Sequence, residues 1–271
     1  MNTFIRILFM AFAMVLCSSS PAQEMFVPAH PAPKREVRGV WITTLGGLDW
    51  PKTKASSPQG MEQQKQELTE MLDQLQALRI NTIFLQTRVR GSVIYPSQIE
   101  PWDVALTGQY NRSPGYDPLA FAITEAHRRG MELHAWVVTI PCFKVAQAKR
   151  IGRKSLAYTH PSWLKKHADT YYLDPGLPEV AHYIADICQE IAENYDVDGI
   201  HFDGYFYPTT DPAFDAADYA ASGTTLALAD WRRQNVNELV QLCWQTVHRY
   251  EGVRFGVSPQ GNPDSCLTMQ Y

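Results

Sequence analysis

In the run VDGIHFDGYFYPTTD, Ile200 and Phe202 alternate with His201 and Asp203. Successive strand residues point to opposite faces, so the histidine and the aspartate share one face and the apolar pair the other. Asp203 closes the run, where a carboxylate at a strand end is placed to meet a ligand. Hydrolysis of a glycosidic bond needs two such carboxylates, about 5–5.5 Å apart for retention and about 6.5–9.5 Å for inversion. Asp203 is the clear first member. Asp49, Glu100, Asp103, Asp174, Asp211 and Asp264 sit where loops follow strands and are the candidate partners. Asp174, in YYLDPG, precedes a helix, where a turn or capping role competes with catalysis.

Other polar residues converge on the same kind of position. In FLQTRVRG, strict alternation puts Gln86, Arg88 and Arg90 on one side. Arg88 can orient a carboxylate, hydrogen-bond a substrate, or pair internally with Asp203. In MELHAWVV, His134 and Trp136 share a face, and Trp136 is a sugar platform or a core residue. The segments after the strands are rich in aromatics, with Trp50, Trp102, Trp163 and the Tyr205–Phe206–Tyr207 cluster. Flat rings beside carboxylates and amides suit a carbohydrate. No G-x-S-x-G, H-E-x-x-H or Walker sequence is present, and nothing in the sequence calls for a cofactor or a metal.

The elements that must position these residues alternate. Strands are predicted over 37–43, 81–89, 131–138, 199–203 and 253–259, and helices over 61–80, 117–130, 178–195 and 226–250. Apolar strands separated by amphipathic helices predict an α/β fold with a parallel sheet. A doubly wound fold predicts a Gly-rich phosphate turn, but VWITTLGGLDW lacks the G-x-G-x-x-G spacing. Long loops after each strand favour a (β/α)8 TIM-barrel type, whose active site lies at the C-terminal rim of the strands. Five strands fit into 271 residues, and a full barrel at this spacing needs roughly 400. The expectation is therefore the first five strand–helix units of a longer, C-terminally truncated barrel protein. The alternative is a complete non-barrel α/β domain.

The N-terminus reads as a targeting segment: MNTFIR, then the apolar ILFMAFAMVLC, then the small-residue exit SSSPAQ. Cleavage after Ala22 satisfies the small-x-small rule, and a lipoprotein signal acylated at Cys17 is the rival reading. Residues 1–22 are thus a signal peptide, 23–35 a Pro-rich linker, and 36–271 the barrel domain. Export implies a periplasmic or outer-membrane location, with the membrane touched only through an anchor at Cys17. The formal charge of −4 and the lack of a dense Lys/Arg run give no reason to expect nucleic acid. Cys142, Cys188, Cys243 and Cys266 show no metal-ligand spacing; Cys188 and Cys243 fall in apolar helical patterns as buried thiols.

REVRGVWITT, NTIFLQTRVRGSVIYPS, YYLDPGLPEVAHYIADICQEI and DVDGIHFDGYFYP, in that order, resemble the glycosyl hydrolase-like 10 family (the bacterial DUF187 group) over about residues 36–260. The resemblance implies a (β/α)8 barrel that is exported or lipid-anchored, with a glycoside hydrolase activity on a cell-envelope polysaccharide such as peptidoglycan glycan strands. It carries over to Arg38, Trp41, Gln86, Arg88, Tyr95, Asp174, His201, Asp203 and Tyr207. The strand ending in Asp203 is also similar to the G-x-R-x-D strand of amylase-type barrels, with His201 in place of the arginine. That implies Asp203 as nucleophile or base and raises His201 as a site residue. The general acid is left unassigned, with Asp174 the first candidate for the second catalytic carboxylate. Arg88, His201, Gln86, Tyr205, Tyr207, Trp41 and Trp136 are the expected substrate-binding or positioning residues. Two departures bear on activity. Gly204 stands where many relatives carry a second aspartate, and Ser92 stands near where many carry an acid. A catalytically impaired glycan-binding relative, or a non-enzymatic envelope protein, is the alternative.

Overall fold

The computed structural model describes residues 36–204 and 206–259. The signal and linker segments, Tyr205, Asp264 and Cys266 lie outside them. Five parallel strands form the main sheet: β1 (Gly39–Ile42), β2 (Thr82–Arg88), β3 (Glu132–Val137), β7 (Gly199–Asp203) and β8 (Arg254–Ser258). Their spatial order is β1-β2-β3-β7-β8. Each new strand joins on the same side of the last, with no reversal. A doubly wound sheet reverses its order at a switch point, whereas a (β/α) barrel adds strands in sequence. The architecture is that of a partial (β/α) barrel.

Between these strands run α1 (Pro58–Ala77), α2 (Pro118–His127), α3 (Pro178–Asn194) and α4 (Leu228–Val247). Their starts follow from local chemistry. Ser57 caps α1 by accepting from Gly60 N, and Asp117 caps α2 by accepting from Leu119 N and Ala120 N. Proline at the first position of α1, α2 and α3 brings a pre-set φ where the missing N–H costs nothing. Helix α3 buries Val180, Ile184, Ile187, Cys188 and Ile191, and α4 buries Val236, Leu239, Cys243 and Val247. Each such aliphatic side chain contributes about 1.5–3 kcal/mol on burial. All seven residues of β2 are buried, as expected of a parallel strand covered on both faces.

One feature went unread in the sequence. The segment between β3 and α3 holds a second sheet, antiparallel, of β4 (Pro141–Lys144), β5 (Leu164–His167) and β6 (Thr170–Leu173) in the order β4-β6-β5. It stands over the C-terminal ends of the main strands and supplies part of a wall there.

The inward face of the main sheet carries two registers of residues. In the lower one, the Trp41 and Phe84 rings are stacked at 4.3 Å, and Phe84 also meets His134 and His201. Gly199 and Gly256 make room for the histidines. A Cβ on Gly199 would lie 2.4 Å from His134 Nδ1, and one on Gly256 2.7 Å from His201 Nδ1. The upper register, at the rim, is Thr43, Gln86, Trp136 and Asp203.

Candidate active site

The upper register opens into a cleft of about 470 Å³. Thr43, Gln86 and Asp203 line it at the strand ends, with Trp136 as one wall. Leu45, Val138, Pro141, Tyr172, Phe206, Tyr207 and Pro208 supply apolar and aromatic walls, and Arg90 stands at the β2 side. Among the described residues Asp203 is the carboxylate in this lining. Its Oδ2 accepts from the Trp136 indole nitrogen at 3.1 Å.

Gln86 is locked from the β1 side. Its Oε1 accepts from Thr43 Oγ1 (2.6 Å), Thr44 N (3.0 Å) and Leu45 N (3.0 Å). Two of these donors are backbone N–H groups, so the amide orientation is settled: the oxygen faces the loop and the NH2 is left for the cleft. The same loop carries Gly46 and Gly47 at φ of 62° and 77°, the left-handed region glycine adopts freely. The adjacent glycines thus turn the chain onto Gln86.

Arg88 requires a correction. Strict alternation put it beside Gln86 at the rim as a substrate-binding residue. In the structure Gln86 pairs with Trp136 and Arg88 with Val137, two residues of β2 against one step of β3. This bulge turns Arg88 to the helix side. There it is fully buried, 0% exposed, with its Nε and Nη2 on the two oxygens of Glu100 at 3.0 and 2.7 Å. Its Nη1 donates to the carbonyls of Val138 and Thr139, and Tyr183 Oη donates to Glu100 at 2.7 Å. Arg88 is a brace between β2, β3 and α3, and its ionic partner is Glu100, not Asp203. Arg90, two residues on, is exposed and is the arginine of this strand that reaches the cleft.

His201, although the pairing partner of Trp136, joins the lower set through its ring contacts with Trp41 and Phe84. Its Nε2 shares a hydrogen bond with Ser258 Oγ at 2.7 Å, rather than with Asp203. Burial, and then the neighbouring His134, push its pKa down to about 4, so it is neutral near pH 7. Trp41 lies on Phe84 in the same register, 45% exposed and outside the cleft lining.

The five candidate carboxylate partners of Asp203 that lie among the described residues have other duties. Asp174 is 0% exposed and outside the lining. Its Oδ1 accepts from Gly176 N at 2.8 Å and its Oδ2 lies 3.2 Å from Lys165 Nζ. Burial outweighs these and pushes its carboxyl up to about 6. Glu100 is in the Arg88 brace. Asp49 accepts from Thr43 N, Asp103 caps the short helix Val104–Thr107, and Asp211 accepts from Ala213 N. Tyr95 donates to Glu190 at 2.8 Å, and Arg38 Nε donates to the Arg79 carbonyl at 2.5 Å; neither lines the cleft.

Tyr207 does line the cleft. Asn235 donates to its hydroxyl at 3.3 Å, the Arg232 guanidinium lies over its ring, and burial raises its pKa above the usual phenol value. Trp50, read as a loop aromatic, is fully buried and donates to the Gln64 carbonyl. Sequence reasoning put Arg90 on the Gln86 side of β2 without giving it a role, and it passed over the lining residues Thr43, Leu45, Val138, Pro141, Tyr172 and Pro208. For Tyr172 the available signal was its place in the YYLDPG run.

Solved structures share this architecture. The fold matches alpha-L-fucosidase isoenzyme 2 from Paenibacillus thiaminolyticus (TM-score 0.55, 18% identity, 82% of this chain and 32% of that one). It also matches a GH20 exo beta-N-acetylglucosaminidase from Vibrio harveyi (TM-score 0.52, 14% identity, 83% and 36%). At these identities the likeness concerns the fold. Sequence relatives are nearer. Glycosyl hydrolase DigH of Escherichia coli K12 is 38% identical over 279 aligned positions, covering 93% of this chain and 63% of that protein. Glycosyl hydrolase YngK of Bacillus subtilis strain 168 is 37% identical, covering 84% and 45%. The chain thus spans under two thirds of the length of these relatives. The sequence profile of the Glycosyl hydrolase-like 10 family matches residues 36–269, and on that match and these identities the chain belongs to that family.

Proposed function

We propose that this protein is an exported glycoside hydrolase acting on a cell-envelope polysaccharide such as the glycan strands of peptidoglycan. One observation carries the reading: Asp203 stands at the rim of the parallel sheet, in a cleft walled by Trp136, Tyr172 and Tyr207, with one oxygen held by the Trp136 indole. A carboxylate fixed beside flat aromatic faces can act as nucleophile or base at an anomeric carbon while the rings pack against sugar. The apolar N-terminal run supports export, with a signal peptide ending at Ala22 or a lipid anchor on Cys17. Residues 23–35 then act as a tether and the remainder as the barrel domain.

A second reading is favoured by a specific observation. Among the described residues the cleft lining holds one carboxylate, and hydrolysis calls for a second acid to protonate the leaving oxygen. A glycan-binding protein without hydrolytic turnover needs only the first. Incubation with peptide-free peptidoglycan glycan separates the two. Hydrolysis releases new reducing ends, and Asp203→Asn abolishes the release. Glycan binding with no reducing ends formed would overturn the hydrolase reading in favour of the second.

A further inference from the structure

One wall of the cleft that holds Asp203 is a loop. Phe206, Tyr207 and Pro208 come soon after β7 and line the cleft, and the chain does not enter α4 until Leu228. Between them lie two short helices, Pro212–Phe214 and Ala216–Ala221. A loop this long keeps one shape through its contacts with the body of the fold. Several of those contacts converge on Arg232 of α4. Its side chain is fully buried, with Nε on Asp215 Oδ2 at 2.8 Å and Nη2 on the other oxygen. Nη1 donates to the Thr209 carbonyl at 3.2 Å and Nη2 to the Asp211 carbonyl at 2.9 Å. The guanidinium carbon also lies 5.1 Å from the centre of the Tyr207 ring. A single helix residue thus grips the loop at Tyr207, Thr209, Asp211 and Asp215.

Stability alone does not call for this arrangement. Apolar residues of similar size in place of a buried ion pair often give equal or higher stability. They cannot satisfy two loop carbonyls or set a cation against a ring. A guanidinium holds its donors in a fixed plane, so it admits few arrangements of carbonyl and carboxylate around it. Asn235, on the same face of α4, donates to the Tyr207 hydroxyl at 3.3 Å and fixes the other end of that side chain. We propose that Arg232, with Asp215, is a positioning residue of the cleft: it acts through Tyr207, holding that residue in place as a cleft wall. The proposal rests on the glycan reading of the cleft and adds a residue outside the lining that sets the lining's shape.

Two replacements of the pair separate positioning from stability. Arg232→Met with Asp215→Leu removes both charges together and leaves neither buried alone. Arg232→Lys keeps the charge, loses the planar fork and carries the same comparison in a second background. Calorimetric titration of the full chain with a peptide-free peptidoglycan oligosaccharide is run beside thermal unfolding and hydrogen exchange. The paired variant is expected to unfold close to the unaltered protein, and to exchange faster across residues 206–227 but not in β7. Its glycan affinity should fall about tenfold, the loss expected of one packed ring. Adding Tyr207→Ala should then cost little more, because the ring is already out of place. Arg232→Lys should fall between the two. Unchanged exchange in the loop, or affinity losses that add in the combined variant, overturns the positioning role and leaves the glycan reading standing. Failure of the unaltered protein to bind the oligosaccharide overturns both.

Discussion

The indole nitrogen of Trp136 donates to Oδ2 of Asp203 at 3.1 Å, linking the rim positions of β3 and β7. The tryptophan read as either platform or core is both a cleft wall and the group that aims the carboxylate. Trp136→Phe keeps the ring face and removes the donor. Glycan affinity should change less than threefold while reducing-end release falls about tenfold, the size expected when a catalytic group loses its orienting partner. A matched fall in affinity and rate would show that the ring, not the hydrogen bond, matters.

The Arg88–Glu100 pair predicts the opposite signature. Glu100→Ala leaves a buried guanidinium without its carboxylate and Tyr183 without its acceptor. Loss of one partner of a buried pair costs about 3–5 kcal/mol. Urea unfolding should show that loss, while the glycan affinity of the protein that remains folded stays unchanged. An affinity change without a stability change would return Arg88 to the site.

Gly199 and Gly256 are predicted to be intolerant of a single methyl group. Gly199→Ala places a Cβ 2.4 Å from His134 Nδ1 and 2.9 Å from the Arg254 carbonyl, and Gly256→Ala 2.7 Å from His201 Nδ1. Overpacking of this kind costs about 1–3 kcal/mol. Gly199→Ala should cost more, since one of its clashes is with backbone. Pairing Gly256→Ala with His201→Ser should recover part of the loss in thermal unfolding.

Two buried groups give opposing pH dependences. His201 titrates at about 4 when folded, below its ordinary 6.5, so the unfolded chain takes up a proton first. Its contribution is intact above pH 6.5 and is lost as pH falls toward 4, on the order of 3 kcal/mol. The Asp174 carboxyl, raised to about 6 by burial, acts in the other direction. Its contribution is intact below about pH 4 and is lost as pH rises through 6. Stability measured from pH 4 to 7 should therefore rise less steeply with pH in His201→Phe, and more steeply in Asp174→Asn. An unchanged slope in both variants would contradict the assignment.

Cys142, Cys188 and Cys243 are fully buried, and burial, then the neighbouring Cys188, pushes the Cys243 thiol well above its ordinary value. Burial pushes the Cys142 thiol up to about 12, far from the reactive thiolate. A thiol reagent should leave all three unmodified in the folded, reduced protein and label them on unfolding in denaturant. Rapid labelling of Cys142 under native conditions would show that the β4 strand opens.

The five parallel strands and four long helices were legible because their apolar spacing is set by burial on two faces, and β7 was read to the residue. Asp203 and Trp136 were legible for the same reason, since inward alternation holds in β3 and β7. Arg88 was misplaced because alternation assumes an unbroken pleat, and the bulge at Thr87 leaves no mark in residue type. The antiparallel sheet was missed because LKKH and TYYL lack clean two-residue alternation. The lining residues Pro141 and Tyr172 were hidden with it. Asp174 was singled out in YYLDPG, but its burial beneath Lys165 and Gly176 is a tertiary fact.

The extra residue in β2 separates two kinds of constraint on one strand. Arg88, inside the bulge, is answerable to Glu100, Tyr183 and two carbonyls, and a change there must be matched across three elements. Arg90, beyond it, is exposed at the cleft and answers to none of these. It can therefore change in charge and size with no repacking of the barrel, while Val89, Ser92 and Val93 on either side of it stay buried. A one-residue deletion at Thr87 would end that independence: the brace would swing toward the cleft and the fold would lose its arginine.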